Sequence, residues 1–204
     1  MSDWASYMHW KHLLRVVVAG LMFLVTVQSA SAGLLYMLPY RWTDSDGRTV
    51  ALNQFHGTPT VITMSYGASR KVCSTAILRM EQMQVMADQA KTPMQFVVVG
   101  FDATKDTPED WRELRQSRKL NRSNWHFLTG GARDVQGLAG NLGLNYTIGT
   151  DHVMFDFGIT LLDSKGNPLR KMKFADDNLE QFLRPALPEG TLPETQRTAF
   201  GSSP

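Results

Sequence analysis

Thr60-Val61-Ile62-Thr63-Met64-Ser65-Tyr66 is a β-branched, largely apolar run, and Gln95-Phe96-Val97-Val98-Val99-Gly100-Phe101 is a second. Neither alternates between apolar and polar residues, as a strand with one wet face would. Both therefore read as strands buried on two faces. Between them, Val72, Ala76, Leu78, Met80, Met83 and Met86 recur at roughly helical spacing, which predicts a helix from Val72 to Ala90.

The elements outside this unit follow from turn and cap chemistry. Pro39 to Leu52 predicts two short strands about the turn Asp44-Ser45-Asp46-Gly47. Thr107-Pro108-Glu109-Asp110 predicts a helix start: Thr107 can cap, Pro108 suits the first helical position, and two acids face the positive end of the dipole. That helix is expected to reach Lys119. Trp125 to Leu128 predicts a strand, and Arg133 to Leu142 a helix stopped by Gly143. Gly158–Asp163 and Leu169–Phe174 predict a hairpin around Ser164-Lys165-Gly166-Asn167. Asp176 or Asp177 is expected to open a last helix that ends before Pro185. Strands alternating with helices and closing on a hairpin and helix define an α/β layered domain, with a central mixed sheet between helices.

The chain has 204 residues, 43% of them hydrophobic, which suits one domain with short extensions. A net charge of +2, with no basic run, gives no footprint for nucleic acid. Lys11 and Arg15 precede the apolar run Val16–Val27, and Ala30-Ser31-Ala32 supplies small residues in an A-x-A pattern. The run is short of the roughly 20 residues a bilayer span needs. Residues 1–32 are thus expected to be a cleaved export signal, with an uncleaved anchor as the alternative, and 33–187 the domain. Residues 188–204 are rich in Pro, Thr, Ser and Gly and read as a disordered tail. The expected location is the periplasm, with membrane contact only if the N-terminal segment is retained.

Cys73 is the single cysteine, so no disulfide can form within one chain. It follows a predicted strand and opens a predicted helix, whose free N–H groups favour thiolate, and Arg70 and Lys71 adjoin it in sequence. This placement marks Cys73 as the candidate catalytic or metal-binding residue. The alternative is a buried, inert cysteine. Asp102 and Asp106 form a carboxylate pair best read as a loop cap. His56 and His126 are read as structural or exposed.

The segment from Ser65 to Thr75 resembles the Sco/SenC signature, a strand running into C-P-x-x-C-P, with Cys73 in register for the second cysteine. Phe101-Asp102-Ala103-Thr104-Lys105-Asp106-Thr107-Pro108 is similar to that family's S-x-D-P-x-R-D-T-P. Trp125-His126-Phe127-Leu128-Thr129-Gly130 is similar to its W-x-x-L-T-G, and Leu161-Leu162-Asp163-Ser164-Lys165-Gly166 to its L-I-D-x-x-G. The resemblance implies a thioredoxin-like (peroxiredoxin-like) three-layer fold. It also implies a copper chaperone acting in assembly of the dinuclear copper centre of cytochrome c oxidase, with copper held by two cysteines and a distant histidine.

Here the first cysteine position is Ser69, and the histidine position, counted back from Gly166, is Phe155. The site is therefore degenerate, and weakened or lost copper binding is expected. A substitute soft-ligand set would be Cys73, His152 and Met154. Copper or no cofactor are both open. The partner expected from the resemblance is the respiratory oxidase or a copper-handling protein, and the chain is expected to be a monomer. Two other functions stay open, a monothiol oxidoreductase using Cys73 and a non-catalytic binding module. An enzymatic role is the less favoured.

Overall fold

The computed structural model describes residues 34–66, 74–150 and 153–188. A seven-stranded mixed sheet forms the middle layer. Its strands are β1 (Trp42–Asp44), β2 (Thr49–Val50), β3 (Thr60–Ser65), β4 (Gln95–Gly100), β5 (Trp125–Gly130), β8 (Ile159–Leu162) and β9 (Pro168–Met172), in the order β2-β1-β5-β4-β3-β8-β9. Strands β3, β4 and β5 run parallel, while β1 and β8 flank them antiparallel. A separate two-stranded sheet pairs β6 (Tyr146–Ile148) with β7 (Val153–Phe155).

Alternation along the strands divides the core in two. Val61, Phe96, Val98 and Phe127 face one layer, built from α1 (Thr75–Gln89), α2 (Pro108–Ser117) and α4 (Leu179–Leu183). Ile62, Met64, Val97, Val99 and Leu128 face the other, built from α3 (Ala132–Leu142), the 3-10 turn Leu52–Phe55 and the N-terminal Leu35 and Tyr36. Every residue of β3 is buried, Thr60, Thr63 and Ser65 included, which accounts for its lack of a charged or solvent-facing side. Burial of each Val, Ile, Leu or Phe side chain contributes roughly 1.5–3 kcal/mol, so the central strands dominate cohesion.

Helix α1 buries most of the face the sequence suggests, Ala76, Met80 and Met83 included, but not Leu78. Ile77, Met80, Met83 and Ala87 are buried, whereas Leu78 is 40% exposed. Gln84 sits in the buried stripe because its Oε1 accepts hydrogen bonds from Trp125 Nε1 at 2.9 Å and Asn124 Nδ2 at 2.7 Å. The cap of α2 follows the sequence: Thr107 Oγ1 accepts from Asp110 N at 3.2 Å and the Asp110 carboxylate accepts from Thr107 N. That helix stops at Ser117, two residues before the expected end, because Lys119 adopts a left-handed φ of 58°. Helix α4 starts later than expected. Asn178 caps it, and Asp177 instead accepts the N–H groups of Lys173 and Phe174.

His126 is structural. Its Nε2 lies 2.9 Å from Gln95 Oε1 and its ring packs on Phe55 at 4.6 Å. Burial, with the nearby Arg115 charge, lowers its pKa to about 4, against a weaker opposing pull from Asp44. Among the described residues no helix is long and apolar enough to cross a membrane. The export-signal and tail expectations, residues 1–32 and 188–204, fall outside the described residues except for Pro188.

Candidate functional site

The parallel strands β3 and β4 deliver their C-terminal ends side by side, with Ser65 opposite Gly100 and Phe101 N donating to Ser65 O at 3.0 Å. From here the chain leaves β3 through Tyr66 towards α1. Ser69, Cys73 and His152 lie outside the described residues, so of the candidate copper-ligand positions only Met154 and Phe155 can be placed. Helix α1 opens with Ser74 at its N-cap, without a side-chain cap bond and without an acid in its first turn. Its positive end therefore keeps its potential undiminished from within the helix.

The loop after β4 is built on Asp102 and Asp106. Asp102 Oδ1 accepts from Thr104 N at 2.9 Å and from Thr104 Oγ1 at 2.6 Å, while Asp106 Oδ2 accepts from Asp102 N at 2.8 Å. Gly100 makes this possible, since a Cβ there would lie 2.6 Å from Asp106 Cβ. The loop-cap reading of the pair thus accounts for three of these contacts. It leaves out one oxygen: Asp102 is 1% exposed, yet its Oδ2 has no hydrogen-bond partner among the described residues, and neither has the hydroxyl of the equally buried Ser65. Burial raises the Asp102 carboxyl, but the Thr104 hydroxyl and amide, with Lys105, outweigh it and hold the group below its ordinary value. A buried carboxylate oxygen without a donor costs free energy. Nothing in the sequence distinguishes this oxygen from its partnered twin, because the two differ only in what surrounds them.

The second wall is the β6–β7 hairpin, two short strands that no sequence pattern predicts. Tyr146 and Phe155 are cross-strand partners, and both rings rest on Phe101 at the end of β4, with centroids 5.0 and 4.9 Å away. Phe155, in the register of the expected distant histidine, is thus engaged in an aromatic cluster. Its neighbour Met154 belongs to the opposite face of the strand, beside Thr147, and is 61% exposed. A substitute ligand set must therefore draw on Met154 from the face of β7 turned away from Phe101. Among the described residues no three His, Cys, Asp or Glu side chains group so as to hold a metal ion.

A mixed sheet between two helical layers, whose central parallel strands β3 and β4 lead on to helices α1 and α2, is the architecture of a thioredoxin-like domain. The model of the SCO1/SenC family matches residues 28–184, and the chain belongs to that family. Among solved structures, a SCO1/SenC family lipoprotein from Bacillus anthracis superposes with a TM-score of 0.67 at 23% identity, covering 75% of this chain and 94% of that one. ScoI from Bradyrhizobium japonicum, solved with copper bound, gives 0.59 at 19% identity over 74% and 98%. BsSco, described as a member of the Sco family of cytochrome c oxidase assembly proteins with a disulfide switch, gives 0.65 at 17% over 76% and 93%. At these identities the structures establish the shared thioredoxin-like fold. No curated protein matches the sequence.

Proposed function

We propose that this protein is an exported, monomeric accessory of respiratory oxidase assembly or copper handling, working through residues 33–187, with copper binding weakened relative to its copper-bound relatives. Family membership supports the first part. The second part is carried by Phe155: a phenyl ring in the expected histidine register packs on Phe101 and offers no donor atom. With serine at position 69, the remaining thiolate, Cys73, has lost both partners the family resemblance calls for. Cu(I) prefers several soft ligands, so one thiolate gives weak and unselective binding. Recruitment of His152 and Met154 would restore part of the affinity. The basic flank, apolar run and A-x-A pattern of residues 11–32 support export to the periplasm.

The test is a deletion strain of the source organism, scored by the copper content and copper-centre spectrum of its cytochrome c oxidase. Loss of that signal, with rescue by the wild-type chain and not by Cys73→Ser, supports the proposal. Full rescue by Cys73→Ser would shift the function to a binding module that needs no thiol. An unchanged oxidase in the deletion strain would remove the assembly role.

A further inference from the structure

The β6–β7 hairpin shares no strand ladder with the main sheet, so side-chain contacts must hold it in place. Three sets do so. At its base, Asp156 N donates to Asn145 O at 2.9 Å while Asp156 Oδ2 accepts from Asn145 N and Nδ2 at 3.1 and 2.8 Å. Beside that base, Leu144 fills the space over Gly158, where a Cβ would lie 2.4 Å from Leu144 Cδ2. Towards the tip, Lys105 Nζ donates to Thr150 O at 3.0 Å, an exposed contact of small worth. Between base and tip, the apolar anchors among the described residues are Val153 and the rings of Tyr146 and Phe155 on Phe101, itself 1% exposed.

We propose that Phe155 is a clamp: it seats the hairpin on the end of β4 by aromatic packing, so that the hairpin holds its position without metal and does not respond to metal loading. Here the tilted rings, 35° and 37° to Phe101, give the offset geometry that aromatic pairs favour, and cross-strand pairing places Tyr146 to brace Phe155 from the side. Burial of the Tyr146 ring edge raises its phenol pKa, consistent with a hydroxyl drawn partly out of water. The clamp is compatible with copper on Cys73 alone but not with recruitment of His152 and Met154, and it stands if the assembly role fails.

Amide hydrogen exchange on the purified chain tests it, with EDTA and with one equivalent of Cu(I). Protection of residues 146–148 and 153–155 should agree within about twofold between the two conditions. Phe155→Ala should lower that protection about fivefold, and β3, β4 and β5 should lose no more than that. Phe155→Leu, which retains apolar bulk and folds under milder strain, should lose roughly threefold and remain indifferent to copper. A tenfold rise in wild-type hairpin protection on adding Cu(I) would overturn the proposal, as would unchanged exchange in both variants.

Discussion

Two hairpins in this domain are fixed by opposite means. The β8–β9 hairpin belongs to the main sheet, and its turn is tied by its own residues. Asp163 accepts from Lys165 N, Asn167 N and Asn167 Nδ2 at 2.8 to 2.9 Å, and Gly166 takes a φ of 90° beneath the ring of Tyr36. The β6–β7 hairpin has three-residue strands, no ladder to the sheet, and side chains as exposed as Ile148 at 49% and Met154 at 61%. The first is scaffold, specified locally. The second is an appendage whose place depends on rings contributed by another strand, and it lies next to the region where the family resemblance puts its chemistry.

The largest expected effect breaks the scaffold side. Gly166→Val would force a β-branched residue into positive φ, with its Cβ 2.4 Å from the Tyr36 ring. We expect a loss of roughly 3 kcal/mol, read as a fall of roughly 6–12 °C in melting temperature. Acid gives the next effect, and it acts on neither hairpin. His126 has a folded pKa of about 4, depressed from 6.5, so the fold favours its neutral form. Its contribution is complete above pH 6.5 and is lost as pH falls from 6.5 towards 4, amounting to about 1–2 kcal/mol at pH 5. In His126→Gln the melting temperature should vary less between pH 7 and pH 5 than in the wild type, and an unchanged slope would contradict this assignment.

Asp163→Ala removes the acceptor for three turn hydrogen bonds and should cost about 1 kcal/mol by denaturant titration, the exposure of the turn keeping it modest. Phe155→Ala should cost less than about 1 kcal/mol of global stability, because the ring is 39% exposed and local opening of the hairpin absorbs the change. A cost limited to the free energy of opening the hairpin alone is the signature of an appendage. A global loss above about 2 kcal/mol would mean that the hairpin is part of the folding core.

The same contrast explains what the sequence disclosed. Strands β3 and β4 were legible because burial on both faces leaves no charged or solvent-facing side. The α2 cap was legible because Thr107 and Asp110 satisfy each other over three residues, and the β8–β9 turn because Gly166 and Asn167 are local signals. Strands β6 and β7 were missed because three residues each give no period to read, and because their support, Phe101, lies 45 residues before Tyr146. Leu78 was misplaced on the buried face of α1 because Gln84, a polar residue, takes part in the real one through Trp125 and Asn124. At the site, the sequence offers Phe155 as the position the family resemblance gives to a histidine. Its packing on Phe101 and the unpartnered oxygen of Asp102 are tertiary facts with no local signal.

Cu(I) affinity, measured by competition with a chromophoric chelator, tests the depleted site most directly when the wild-type chain is compared with Ser69→Cys/Phe155→His. Restoring the thiolate and imidazole that the family resemblance calls for should tighten binding at least a hundredfold. Wild-type protein that already binds one equivalent as tightly as the double variant would contradict the account.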